Sequence, residues 1–140
     1  MRNVNDLMSS ELLTVPRTEL VGAVRDLMRD SGVHCVPVVD DELHPVGVVT
    51  SWDLVEEYAP TEAITNAMTD HVVCVGKDDS LAHAAGVMMT NWIHHLVIVD
   101  DRGRVEGVLS SFDLLGLCLI YTSDAADEHR DVLGGVGGGG

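Results

Sequence analysis

Apolar residues along this chain fall into short β-branched runs and longer helical stripes, and their alternation predicts the elements. In the first half, Leu20, Val24, Leu27 and Met28 recur at i, i+4, i+7 and i+8 behind Thr18, an N-cap residue type, with Arg25, Asp26, Arg29 and Asp30 on other faces. That spacing predicts an amphipathic helix stopped near Ser31-Gly32. A short lead-in helix is expected at Asn5 to Met8, and a strand over Leu12, Leu13, Thr14 and Val15 ended by Pro16. Val36-Pro37-Val38-Val39 and Val46-Gly47-Val48-Val49 read as two more strands, the second running straight into Thr50-Ser51-Trp52-Asp53-Leu54. Pro37 cannot donate to a ladder, so it is expected at a strand start or on a sheet edge.

The same grammar then returns. Thr61 to Met68 predicts a lead-in helix, Val72 to Val75 a strand, and Leu81, Ala84, Ala85 and Met88 a helical stripe. Leu96 to Val99 and Val105 to Ser110 follow as strands, and Phe112 to Leu117 begins a closing helix. At a constant offset of sixty residues Met8 recurs as Met68, His34 as His94, Asp40 as Asp100, Gly47 as Gly107, Ser51 as Ser111 and Asp53 as Asp113. Each half is therefore a β-α-β-β-α unit of the α/β class, one helix layer on a small sheet. Its last two strands should form a hairpin through 40–44 and 100–104, with better turn chemistry at Asp101-Arg102-Gly103 than at Asp41-Glu42-Leu43. A unit this short cannot bury its apolar face alone, so the two are expected to pack into one body with function between them.

Composition narrows the classes. At 140 residues and 46% apolar the chain suits one compact module, read as halves 1–58 and 59–117. A formal charge of −15 with one lysine, Lys77, opposes sequence-independent binding to nucleic acid or to an anionic membrane. It fits a salt-rich cytoplasm or an ordinary acidic solvated surface equally well. No apolar run reaches membrane-spanning length and the N-terminus has no signal-peptide core, so a cytoplasmic location is expected. Cys35, Cys74 and Cys118 form no paired motif and read as small hydrophobes. Residues 118–128 resemble the translation of a sequencing-library adapter and the chain closes on four glycines; 118–140 is read as a non-native or disordered tail.

Val4, Asp6, Leu7 and Met8, then Asp26 to Met28, Val36-Pro37-Val38-Val39-Asp40 and Gly47 through Leu54 together resemble a cystathionine-β-synthase (CBS) domain. The second half matches through Ala67-Met68, Leu96 to Asp100 and Gly107 through Leu114. The resemblance covers residues 1–117 and implies a tandem pair, or Bateman module, with two repeats related by a pseudo-two-fold axis. It also implies two clefts between the repeats that take adenosine-containing ligands: AMP, ADP, ATP or S-adenosylmethionine.

Two explanations compete for Thr50-x-x-Asp53 and Ser110-x-x-Asp113. A hydroxyl followed three residues on by a carboxylate at a helix start is close to a capping box, which needs no ligand. The same helix N-terminus would also offer free N–H groups and positive dipole to a phosphate. By resemblance, Asp53 and Asp113 would hold ribose while Thr50 and Ser110 meet phosphate. The resemblance puts the adenine slot at Thr14, Val15 and Pro16 with His34, Cys35 and Val36, and in the second half at Cys74, Val75 and Gly76 with His94, His95 and Leu96. His34 and His94 read either as pH-sensitive phosphate contacts or as hydrogen-bonded surface residues. A metal site from His71, His83, His94 and His95 lacks a recognised ligand spacing and is not expected.

In the second cleft Val97 replaces Pro37 and Trp92 replaces Gly32, changes expected to reshape or fill the pocket, with Trp92 serving as core or interface. With only Arg17 and Lys77 as nearby bases, a triphosphate would need Mg²⁺ or partner residues. No catalytic motif is present, which opposes an enzyme, and the resemblance implies a non-catalytic regulatory module that needs no cofactor and signals to an unidentified partner protein. The resemblance implies homodimerisation through the helices, with Leu27, Met28, Met88 and Met89 as interface or core. The alternative is a structural dimerisation module with degenerate, empty clefts.

Overall fold

The computed structural model describes residues 2–9 and 11–116; the tail assigned to 118–140 lies outside them. The described chain is two three-stranded mixed sheets, each carrying one long helix. The first half holds helix α1 (Val4–Leu7), strand β1 (Val15–Pro16), helix α2 (Val21–Ser31), and strands β2 (Cys35–Val39) and β3 (Pro45–Thr50). The second holds β4 (Cys74–Gly76), α3 (Leu81–Asn91), β5 (His95–Val99) and β6 (Val105–Ser110), with 111–116 helical. In each sheet the middle strand pairs parallel with the short first strand and antiparallel with the third. The α/β repeat architecture follows the hydrophobic pattern closely.

Several local expectations shift. The helix α2 starts two residues later than Thr18 suggested, with Leu20 as N-cap, and ends as expected at Gly32 in the left-handed region (φ 68°). Residues 61–68 form only a single 3-10 turn, Ile64–Asn66. The first strands are shorter than read: Leu12 to Thr14 lie outside β1, and β4 begins at Cys74.

Pro37 sits in the central strand, not at an edge, opposite Val48. Its equivalent Val97 spends its N–H on the carbonyl of Val73 at 3.1 Å. Proline has no N–H to spend, so the first half does without that bond, and β1 covers two residues where β4 covers three. Both hairpins turn as read, since Asp40 Oδ1 accepts from the N–H of Glu42 and His44 while Asp100 Oδ1 accepts from Arg102 and Arg104. The left-handed residue is Gly103 (φ 78°) in one turn and Leu43 (φ 66°) in the other.

The halves are tied by crossing lead-in segments. Val4 is fully buried in the second half's core with Val75, Leu81, Ala84, Leu96, Ile98 and Leu109. Ile64 and Ala67 are buried in the first half's core with Val21, Val24, Val36 and Val49. Backbone bonds fix both crossings: Val4 N–H to Asp79 O (2.9 Å) and Ser9 N–H to Val108 O (3.2 Å), then Ile64 N–H to Glu19 O (2.8 Å) and a reciprocal pair between Val48 and Thr69 (2.9 Å each). A third apolar cluster of Val39, Val97 and Val105 joins the sheets directly. Beside it Val105 N–H donates to Leu43 O at 2.9 Å, and His44 Nε2 reaches the carbonyl of Arg102 at 3.1 Å. Each half thus completes its core with a segment of the other.

Candidate functional site

The candidate residues gather at the open end of each hairpin, where β3 and β6 run out of the sheet. Cys35 faces Thr50 across the β2–β3 ladder, and His95 faces Ser110 across β5–β6. The next residue on each third strand bonds back: Ser51 N–H to His34 O at 2.9 Å, and Ser111 N–H to His94 O at 2.7 Å. Their hydroxyls also meet the histidine rings, Ser51 Oγ to His34 Nδ1 at 3.4 Å and Ser111 Oγ to His94 Nδ1 at 3.2 Å. This leaves Nε2 as the outward nitrogen of two exposed imidazoles. The sequence reading gave Ser51 and Ser111 no role, although their constant spacing from His34 and His94 was visible.

The reciprocal bonds of a capping box form in both halves, in the first around a single 3-10 turn. Asp53 Oδ2 accepts from the Thr50 N–H (2.8 Å) and its hydroxyl (3.1 Å), and Asp113 Oδ2 accepts from the Ser110 N–H (2.8 Å). Asp113 N–H in turn donates to Ser110 Oγ at 3.1 Å. Among the described residues these bonds use only one oxygen of each carboxylate, so Oδ1 is left for another donor.

The helix N-terminus expected behind Thr50 is absent, because Asp53–Val55 is a single 3-10 turn. Arg25 explains the difference. Read from the sequence as outward-facing, it turns inward and donates to the carbonyls of Tyr58 (3.0 Å), Glu56 (3.1 Å) and Leu54 (3.4 Å), which a continuing helix would need for itself. Ala85 stands at the equivalent place in the second half, and there 111–116 is helical.

Not every candidate reaches this end. Thr14 immediately precedes β1, and Pro16 pairs with Val39, four residues along β2 from Cys35, or roughly 13 Å at ordinary strand rise. Cys74 pairs with Val97, two residues from His95. Val36 and Leu96 are wholly buried in the two cores, so only their backbone can face a ligand. Trp92, read as core or interface or as filling the second cleft, is 91% exposed and so is not core, whereas Val97 is buried between the sheets. Met28 and Met88 are core; of the four residues offered as an interface stripe, Met89 alone is strongly exposed.

Electrostatics couple the two halves. Burial, then the neighbouring His94 and His34, push the His95 pKa below its usual value, while Asp113 pulls the other way. His95 thus feels charge from His94 in its own repeat and from His34 in the other. Cys35 occupies the equivalent place in the first half; burial and Asp53 push its thiol up to about 12, which leaves it protonated and unreactive. Two surface cavities, about 360 Å³ lined by Glu42, His44, Arg102 and Arg104 and about 330 Å³ along α3, include none of the candidate residues. Among the described residues no three His, Cys, Asp or Glu side chains are placed to hold a metal ion, and no helix is long and apolar enough to cross a membrane.

The duplication of the repeat has a counterpart in the family comparison. The CBS domain model matches the chain twice, at residues 4–60 and 63–119. The chain belongs to the CBS domain family. Its tandem pair is similar to the CBS domain pair of protein MJ0100, solved in complex with 5′-methylthioadenosine and S-adenosyl-L-methionine, at 26% identity and a TM-score of 0.76 over 84% of this chain and 95% of that one. CBSX2, solved in complex with AMP, shares the fold at 24% identity and a TM-score of 0.74 over 87% and 99%. In sequence, the CBS pair is 29% identical to inosine-5′-monophosphate dehydrogenase of Methanocaldococcus jannaschii over 82% of this chain and 23% of that enzyme. The chain spans about a quarter of the length of several curated relatives it matches.

Proposed function

We propose that this CBS pair is a non-catalytic regulatory module that binds an adenosine-containing ligand between its repeats and passes the change to a partner. The observation that carries the reading is the matched placement of Thr50 with Asp53 and Ser110 with Asp113 at the two open ends, each carboxylate keeping one oxygen free beside an exposed imidazole. A free Oδ1 can accept from ribose hydroxyls, the backbone at Thr14, His34, Cys35, Val36, Cys74, His94, His95 and Leu96 can read an adenine edge, and His34 and His94 can face phosphate. The MJ0100 pair, in complex with two adenosine derivatives, supports this ligand class.

Charge ranks the ligands. In a chain at −15 with imidazoles rather than lysines at the site, AMP, ADP or the cationic S-adenosylmethionine is favoured over free ATP, which would need Mg²⁺ to offset its charge. The change would pass to a separate protein or to a second copy paired through the helices.

Calorimetric titration with AMP, ADP, ATP with and without Mg²⁺, and S-adenosylmethionine tests the proposal. Saturable binding that weakens in Asp53→Ala or Asp113→Ala is expected. Absence of heat from every ligand on a folded sample would instead favour the second reading, a structural dimerisation module with empty clefts. Both carboxylates already have work as caps, which is what favours that alternative.

A further inference from the structure

The closed ends of the two hairpins meet, and a cavity of about 360 Å³ between them is lined by Glu42, His44, Arg102 and Arg104. At the sixty-residue offset Arg102 and Arg104 are the equivalents of Glu42 and His44, so the repeats give the same two positions to one cavity but fill them with different chemistry. One wall carries a carboxylate and an imidazole, the other two guanidinium groups.

Both walls are held in place. Asp40 N–H donates to His44 O at 3.0 Å and Asp100 N–H to Arg104 O at 2.9 Å, closing each turn. Val105 N–H on Leu43 O at 2.9 Å and His44 Nε2 at the carbonyl of Arg102, 3.1 Å away, fasten one turn to the other. The neighbouring aspartates are already engaged. Asp40 and Asp100 each give Oδ1 to two N–H groups of their own hairpin, and Oδ2 to His44 Nδ1 (3.3 Å) or Arg104 Nε (2.9 Å). What remains is uncommitted charge on opposite walls. Among the described residues Arg102 makes no side-chain hydrogen bond or ion pair, Arg104 commits only Nε, and Glu42 has no cation nearer than His44 Nδ1 at 3.8 Å. Acidic side chains outnumber lysine and arginine 23 to 8 in this chain, yet none neutralises Arg102. Glu42 and Arg102 border one cavity with opposite charges that do not reach each other.

We propose that this cavity binds a small zwitterion of the α-amino acid class, its carboxylate held by Arg102 and the Nη groups of Arg104 and its ammonium by Glu42. A guanidinium presents paired N–H donors that match a carboxylate, which fixes orientation as well as charge. Glu42 then accepts from the ammonium, and the ligand bridges the gap that the protein's own charges leave open. Phosphate would satisfy the arginines but turn negative charge toward Glu42, and a simple organic cation would satisfy Glu42 alone; a zwitterion answers both walls. The volume leaves room for an amino acid side chain. This site is separate from the proposed nucleotide cleft, since Val39 beside the turn lies four residues along β2 from Cys35, and the inference stands without that reading.

Amide NMR of the isotope-labelled full chain tests it, with titrations of the common L-amino acids in pools, then glycine betaine, acetate, methylammonium and inorganic phosphate. At least one amino acid should give saturable shifts at Glu42, His44, Arg102 and Arg104 in the millimolar range, weakening at high salt. Acetate, methylammonium and betaine, whose quaternary nitrogen has no N–H for Glu42, should each bind about tenfold more weakly. Arg102→Gln and Glu42→Gln change exposed side chains that hold nothing else, so the fold should survive, and each should weaken amino acid binding about tenfold. Glu42→Gln should not weaken acetate, and Arg29→Gln on α2 should change nothing. No saturable shift from any amino acid, tighter binding of acetate or phosphate than of every amino acid, or equal loss in Arg29→Gln and Arg102→Gln would overturn the assignment. AMP should act on Arg102→Gln as on wild type, which keeps the cleft reading apart; AMP shifts confined to 40–44 and 100–104 and lost in Arg102→Gln would make the cavity a nucleotide site and overturn it too.

Discussion

Alanine at Gly47 should loosen the joint between the halves. A Cβ built there meets the Sδ of Met68 at overlap distance, Met68 Cγ at 3.0 Å and the backbone oxygen of Thr69 at 3.0 Å. The thioether can swing away, but the carbonyl cannot, because Thr69 is bonded in both directions to Val48 at 2.9 Å. Relief requires the 68–69 segment to lift off β3, weakening two backbone bonds worth about 0.5–1.5 kcal/mol each. Overpacking adds ~1–3 kcal/mol. Alanine recovers only about 0.4–1 kcal/mol through the unfolded chain.

The net loss for Gly47→Ala is therefore ~2 kcal/mol, a fall in Tm of roughly 8 °C for a domain near this size. Gly76→Ala is the control, since its Cβ would meet nothing closer than Asp79 Oδ2 at 3.8 Å, and its Tm should stay within about 2 °C of wild type. Adding Met68→Ala to Gly47→Ala should cost less than the two single losses combined, as expected for side chains in contact. Urea unfolding of the four variants gives the cycle. A Gly47→Ala protein as stable as wild type, or strict additivity with Met68→Ala, would refute the claim that β3 carries glycine to admit the crossing segment.

The remaining predictions concern charge and caps. Cys35 is pushed up from 9.0 to about 12 by burial and Asp53, a raised folded value, so its contribution is complete below pH 9 and is lost as the pH climbs toward 12; Cys35→Ala should flatten that alkaline slope, whose upper bound is on the order of 4 kcal/mol. Asp40 and Asp100 are held below 3.8, chiefly by the N–H groups of His44 and Arg104 respectively, so their contribution is present above that pH and is lost as the pH falls further; Asp100→Asn should shift the acid-unfolding midpoint measured by circular dichroism. His95 is depressed below 6.5, mainly by burial, so neutral His95 favours folding above that pH and the benefit fades below it. A bound phosphate reverses the preference, and AMP affinity should rise between pH 8 and pH 6 in wild type and less so in His95→Gln. Asp53→Ala should cost about 1 kcal/mol of stability with no ligand present, through loss of the cap on Thr50.

Much of this was legible because the repeat supplied a second reading of every element. Hydrophobic spacing located both long helices and all four hairpin strands, and the hairpins do turn through 40–44 and 100–104, with Gly103 at the left-handed position. What escaped was decided by partners distant in sequence. Pro37 reads as an edge residue under local rules, yet it is tolerated centrally because the strand beside its nitrogen is only two residues long. Residues 61–68 have helical composition, but Ile64 gives its N–H to Glu19 O and Glu62 O accepts from the Val21 N–H instead. Arg25 fits the polar side of its helix, and only the carbonyls of Leu54, Glu56 and Tyr58, some thirty residues on, turn it inward. Among the candidate residues, the cluster of His34, Cys35, Thr50 and Asp53 was recoverable from strand pairing alone, whereas the engagement of Asp53 Oδ2 as a cap required coordinates.

The crossing segments also limit how a ligand could act under the proposed function. Opening the halves like a hinge would withdraw Val4 from one core and Ile64 from the other, both fully buried. Exposing two such side chains costs about 1.5–3 kcal/mol each, before the backbone bonds at Asp79, Glu19, Val48 and Val108 are broken. Coupling free energies between sites typically amount to ~1–3 kcal/mol. A ligand of that strength cannot drive the hinge, so its effect must be confined to parts that move without emptying a core. The 50–55 turn qualifies, because it is fastened by hydrogen bonds from Arg25 and to Asp53, with no fully buried residue of its own. A ribose on Asp53 would therefore be felt first through Arg25 and along α2, as a change of rigidity more than of shape. Hydrogen exchange with and without AMP should then show protection gained at 53–58 and on the α2 backbone while the Val48 and Thr69 amides stay unchanged; exchange that slows or quickens at Val48 and Thr69 would mean that the halves do part.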